Sequence, residues 1–245
     1  FDSIMRKRRL LVLSTFVVWS MTSAFAGEKL SLVDITQGCF RSETMQAVSP
    51  MTDGETYSQI SDNGRRVISY SFRTGKQVSV LFDAATARGE QIDRVEGYII
   101  SPDGRLMLIQ TKTEPIYRHS FTAVYYIYDI RNNKLEPLSD GGPQQTPQFS
   151  PDGNQIAFVR DNNIYLVKLL YDNAESQVTK DGKFNEVING IPDWVYEEEF
   201  STNSSMVFSA DSKQIVWIRY DESHVKQYSM QMFKGLAPDL GEYAE

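Results

Sequence analysis

The chain has 245 residues, 41% of them hydrophobic and 12% aromatic, with a formal net charge of −7. That size and composition suit a folded domain, and the acidic balance leaves no basic stripe to neutralise phosphates, which excludes nucleic acid as a partner. Cys39 stands alone, so no disulfide within the chain and no Cys-rich zinc site can form.

At the start of the chain, Met5 is followed by Arg6, Lys7, Arg8 and Arg9, then by the apolar run Leu10 to Trp19. Ser23-Ala24-Phe25-Ala26 ends in an Ala-x-Ala signal before Gly27, the three-part layout of a secretory leader. The apolar run is about half of the roughly 20 residues needed to span a bilayer. Residues 1–26 therefore read as upstream residues plus a signal peptide, and residues 27–245 as an exported mature part, periplasmic or secreted. After cleavage no stable membrane span is expected, and an uncleaved anchor is the alternative. Without its first 26 residues, which carry one Asp and four basic side chains, the chain has a net charge of about −10. The lone Cys39 reads as a small buried apolar residue.

Four segments further along share one pattern. They are Ser61-Asp62-Asn63-Gly64, Ser101-Pro102-Asp103-Gly104, Ser150-Pro151-Asp152-Gly153 and Ser209-Ala210-Asp211-Ser212, each followed by a β-rich apolar run. Ser-Pro-Asp-Gly suits a type I turn at every position. The copies begin about 40, 49 and 59 residues apart, a period that marks blades of a β-propeller. Strands are expected over Gly97–Ile100, Val78–Phe82, Val124–Ile130, Ile156–Arg160 and Ile164–Leu169, with a turn at Asp161–Asn163. Helix signals are nearly absent. A β-sandwich is the competing architecture, and it leaves the recurring turn unexplained. The fold class is thus all-β, a partial propeller.

Unequal spacing locates an insertion between the third and fourth turns, and insertions that no sheet requires often carry function. It contains Ile191-Pro192-Asp193-Trp194-Val195-Tyr196-Glu197-Glu198-Glu199-Phe200, three consecutive carboxylates beside aromatic residues. Such a cluster can hold a cation, and a peptide α-amine is largely ammonium at neutral pH. Read by itself, a Glu run is usually a solvated helix face. Neighbouring helical side chains point about 100° apart, so two adjacent Glu can embrace one cation. Their mutual repulsion is relieved when the cation binds. Glu197 reads as structural, a helix-start charge, and Trp194 and Tyr196 as packing that anchors the insertion.

Several blocks of this chain resemble the dipeptidyl peptidase IV family in order and spacing. They are Met51–Tyr57, Tyr70–Gly75, Tyr117-Arg118-His119-Ser120-Phe121-Thr122-Ala123, Tyr126–Asp129, Asn163–Tyr165 and Asn189–Glu199. The resemblance implies an eight-bladed propeller whose short helical insertion grips the substrate N-terminus. It implies that Glu198 and Glu199 bind the substrate ammonium, and that Arg118 contacts a substrate carbonyl and helps to place the Glu pair. Taken alone, Arg118 is equally an ordinary surface ion pair. The family hydrolyses peptides with a Ser-Asp-His triad in an α/β-hydrolase domain, its Ser on a Gly-x-Ser-x-Gly elbow. No such elbow occurs here, and His119 and His224, the latter in a predicted strand region, have no nucleophile partner.

The expectation is therefore the N-terminal, recognition part of an exported serine dipeptidyl aminopeptidase releasing X-Pro or X-Ala dipeptides, inactive alone. It has no catalytic residue, metal or cofactor of its own, its partners are peptide N-termini, and the full-length family members form homodimers. The alternative is a non-catalytic propeller, either a binding module or a family member without its nucleophile.

Overall fold

The computed structural model describes residues 30–42, 44–233 and 238–244. The expected leader lies outside the described residues. The chain divides into two compact units, residues 1–46 and 47–245. In the first, helix α1 (Leu32–Thr36) is capped by Ser31, whose hydroxyl accepts from the Asp34 amide while the Asp34 carboxylate accepts from the Ser31 amide. None of its residues is buried, and Cys39, in the turn that follows, is exposed. The expectation of a buried Cys39 is thus corrected: this short segment forms no core in which a thiol could be buried.

The second unit is a succession of sheets, antiparallel except where β5 pairs with β9 in parallel. Strands β1 (Ser49–Pro50), β2 (Thr56–Ser61), β3 (Arg66–Ser71) and β4 (Gln77–Asp83) form the first, in sequence order. The second combines β5 (Arg88–Gly89), β6 (Gly97–Ile100), β7 (Leu106–Pro115), β8 (Phe121–Asp129) and β9 (Lys134–Pro137) in the order β5-β9-β8-β7-β6. The third is β10 (Gln145–Phe149), β11 (Gln155–Arg160), β12 (Asn163–Lys168) and β13 (Ala174–Gln177), again in order. Beyond it β14 (Val187–Asn189) pairs with β17 (Arg219–Asp221), and β15 (Met206–Phe208) with β16 (Ile215–Trp217). Helix α2 (Trp194–Phe200) lies between β14 and β15, inside the insertion that the spacing located. A hairpin of β18 (Gln227–Phe233) and β19 (Pro238–Ala244) follows.

Side chains alternate across a strand, so a sheet buried on both faces shows apolar residues at consecutive positions. On β7, Met107 and Ile109 pack with Val67 and Phe82 of the first sheet, whereas Leu108 packs with Ile156 and Phe158 of the third. On β11, Ile156 and Phe158 face the second sheet, and Ala157 and Val159 pack with Ile191, Met206 and Phe208. Consecutive sheets are therefore stacked face to face through three successive cores. This is the arrangement of propeller blades, and it explains the apolar runs 106–109 and 156–159.

The recurring turns form one hydrogen-bonded unit in three of the four copies. The hydroxyls of Ser101, Ser150 and Ser209 donate to Asp103, Asp152 and Asp211 and accept the amide of the residue five positions on, at 2.9–3.0 Å. Gly104 and Gly153 close the turn at φ +70°, a conformation that favours glycine. Ser212 adopts φ +60° at the same place. The first copy differs: Asp62 and Asn63 are both left-handed, and the Ser61 hydroxyl meets Tyr70 instead. It carries Asp62 and Asn63 at its second and third positions, and Asp and Asn tolerate the left-handed region.

Hydrogen bonds from Ser150 and Ser209 hold the Asp152 and Asp211 carboxyls below their ordinary pKa, and Ser223 with Arg219 lowers Asp221 to about 2. A carboxyl depressed in the folded state stabilises it fully above the unfolded value near 4, and that stabilisation is lost as pH falls through the folded value. The triple variant Asp152→Asn, Asp211→Asn, Asp221→Asn should therefore lose less melting temperature between pH 6 and pH 3 than the native chain. Equal losses in thermal melts would contradict this account of the turns.

Candidate functional site

Two elements build the site, the β7–β8 hairpin tip and helix α2. A bulge bends β7 where Lys112 turns left-handed at φ +50°, and pairing with β8 resumes at Glu114 opposite Thr122. The tip that follows is closed by the amides of Ile116 and Tyr117 donating to the Ser120 carbonyl at 2.9 and 3.3 Å. Arg118 stands at this tip with its side chain 73% exposed.

Gly190 supports the root of the insertion at φ +79°, and a β-carbon there would lie 2.9 Å from Ile164. Its carbonyl accepts from Ser205, which closes the insertion at its root, and its amide donates to Ile218 between β16 and β17. After the buried Ile191 and Pro192, Asp193 caps the helix by accepting the Tyr196 amide at 2.8 Å. The left-handed Ser201, φ +51°, ends it.

The faces of this two-turn helix have separate tasks. Tyr196 packs edge-on against Tyr220 of β17 and tilts against Phe200, with ring centroids 5.3 and 5.4 Å apart. Glu197 is 2% exposed, and its Oε1 accepts the amides of His119 at 2.8 Å and Ser120 at 2.9 Å. The Asn203 side-chain amide donates to the His119 carbonyl at 3.2 Å. Glu198, one residue on, reaches the Arg118 guanidinium, Oε2 to Nε 3.2 Å, with its own side chain 24% exposed. Glu199 is exposed.

The structure thus brings together Arg118 and Glu198, places Glu199 next to them on the same helix, and turns Glu197 inward. Glu197 is structural as expected: it is the acidic residue of the helix's first turn, and its carboxylate also tethers a distant hairpin. Tyr196 anchors the insertion. Trp194 and Tyr196 are each 45% exposed; Trp194 lines two clefts at the helix root, of about 380 and 420 Å³, and Tyr196 shares the wall of the second. Both clefts also contain Asp193 and Glu222. Burial, helped by the neighbouring Asp193 charge, raises the Glu222 pKa above the usual carboxylate value. Glu222 was not singled out in the sequence, because a lone Glu after a β-strand carries no motif. His224 lies in the turn between β17 and β18 rather than in a strand, because Asp221 draws the chain into a turn by accepting from the amide and hydroxyl of Ser223.

A face-to-face stack of small sheets, interrupted by one short helix that presents carboxylates beside an arginine, defines a partial propeller with a helical insertion. Residues 101–244 match the family model described as the dipeptidyl peptidase IV (DPP IV) N-terminal region, and the chain belongs to that family. A probable dipeptidyl-aminopeptidase B of Podospora anserina is 44% identical over 150 residues, 58% of this chain and 16% of the relative. The one from Chaetomium globosum is 36% identical over 212 residues, 83% of this chain and 21% of the relative. The crystal structure of Porphyromonas gingivalis dipeptidyl peptidase 4 superposes with a TM-score of 0.83 at 39% identity, covering 89% of this chain and 31% of that one. The chain accordingly spans about a sixth to a fifth of the two curated relatives.

Proposed function

We propose that this chain is the substrate-recognition part of an exported serine dipeptidyl aminopeptidase, periplasmic or secreted, that releases X-Pro or X-Ala dipeptides. Residues 1–26 supply the leader and residues 27–245 the first part of the propeller. Glu198 and Glu199 hold the substrate α-ammonium, and Arg118 binds a backbone carbonyl of the same substrate. The nucleophile and its partners belong to sequence outside this chain.

The observation that carries this reading is the 3.2 Å pair between Arg118 and Glu198, which joins a hairpin tip to a helix 80 positions away in sequence. An ion pair this exposed contributes only about 0–1 kcal/mol to stability. Its use is better sought in geometry. Arg118 presents a rigid fork of donors, able to meet a carboxylate on one side and a carbonyl on the other. The carboxylate pair supplies charge-assisted acceptors for an ammonium, roughly twice as strong as neutral ones. A substrate pinned by its N-terminus offers a bond at a fixed distance from that end, which suits the release of a fixed-length piece; that the piece is a dipeptide is what the family likeness implies.

The test is hydrolysis of a Gly-Pro-chromophore by the full-length polypeptide that carries this chain. Free dipeptide should be released. Arg118→Ala should lower kcat/KM about 10- to 100-fold, the equivalent of one charged hydrogen bond of about 1.5–3 kcal/mol. Binding of the substrate without any hydrolysis would instead identify a non-catalytic binding module.

A further inference from the structure

Glu197 is the most deeply buried carboxylate beside the clamp, and the clamp itself does not use it. Its Oε1 accepts two backbone amides, those of His119 and Ser120, the residues that directly follow Arg118. Ion pairs are a familiar role for a buried carboxylate, but this one is spent on main-chain donors some 77 and 78 positions away. The residue after Glu197 is the one that pairs with Arg118. Asn203, just beyond the helix, adds a third tie by donating to the His119 carbonyl.

From this we infer that Glu197 is a positioning residue that sets the distance between Arg118 and the Glu198–Glu199 pair by clamping the hairpin tip to helix α2. The inference rests on the reading of those three residues as an amine clamp. Physically, Arg118 and Glu198 are long, partly exposed side chains that cannot by themselves fix two backbones relative to each other. Two hydrogen bonds accepted by one buried oxygen can, because breaking them strands two amides without partners. The tether fixes backbone rather than side chain, so it leaves Arg118 free to face a ligand. A clamp built on two separate blades holds its geometry through such a tie.

The experiment measures binding to the full-length protein by calorimetry. The probes are glycyl-pyrrolidide, an X-Pro analogue without a scissile carbonyl, and its desamino isostere propionyl-pyrrolidide. Their Kd ratio reports amine recognition whatever fraction of the protein is folded, which a purely structural role would leave unmoved. Glu197→Ala should lower that ratio at least tenfold. Glu197→Gln, which keeps an oxygen acceptor in place, should stay within about threefold of the native ratio. Asn203→Ala should lower it two- to fivefold, and it decides the matter if Glu197→Ala cannot be recovered as folded protein. An unchanged ratio in Glu197→Ala, or in Asn203→Ala where that variant decides, overturns the inference. So does a Glu197→Gln protein as impaired as Glu197→Ala, which would assign the role to charge rather than to the tether. Glu198→Ala serves as the reference. If it too leaves the ratio intact, the amine clamp itself is wrong; if it lowers the ratio while Glu197→Ala does not, only the tether fails.

Discussion

Glu198→Ala and Glu199→Ala should each lower kcat/KM of the full-length protein for a Gly-Pro-chromophore by at least about 30-fold, with little change in melting temperature. Removing one partner of a desolvated charge pair costs about 2–5 kcal/mol, which sets the lower bound on the rate effect. Neither residue carries the fold. Glu199 is exposed and Glu198 pairs, among the described residues, with Arg118 alone, whereas the cores of this unit are apolar side chains between sheets. Substitutions at such positions usually change stability by less than about 0.5 kcal/mol. Removing one of two neighbouring carboxylates also relieves repulsion in the empty protein, so lost activity cannot be ascribed to unfolding. The measurement is steady-state kinetics beside a thermal melt of each variant. Wild-type rates in both variants would remove the carboxylate pair from substrate binding.

The contrast between Glu197 and its neighbours shows how much of this site could be read from the residues. Three Glu in a row identify a charged helix. The repeat spacing placed that helix in an insertion, and the recurring Ser-x-Asp turn marked the blades, because both signals are local in sequence. The split of the three carboxylates is set by a hairpin nearly 80 residues away, and no local pattern contains that distance. Of the two aromatic residues read as anchors of the insertion, Tyr196 meets Tyr220, and both it and Trp194 also line a cleft at the helix root. Cys39 failed differently: its burial was inferred from residue type, while the short segment around α1 forms no core. The bulge at Lys112 also had no sequence signal, since a lysine in left-handed geometry is dictated by strand pairing on either side of it.

Blocking the substrate amine is the second large effect. N-acetylation of Gly-Pro-chromophore should reduce kcat/KM by 30-fold to several thousand-fold, because two carboxylates are then desolvated with no cation between them, at a cost of about 2–5 kcal/mol. Acetylation also adds bulk, so the desamino isostere propionyl-Pro-chromophore is the cleaner probe. It replaces the ammonium by a methyl group of similar size and should lose nearly as much. The pH profile supplies the sign. A peptide α-amine has a pKa near 8, and the clamp binds its charged form. For the free-amine substrate kcat/KM should therefore fall as pH rises through about 8, approaching tenfold per unit beyond it. The desamino substrate has no such group and should show no fall of that origin. A shared alkaline limb would trace the loss to the protein, and equal turnover of all three substrates at pH 7 would mean that the carboxylates at 198 and 199 do not read the amine.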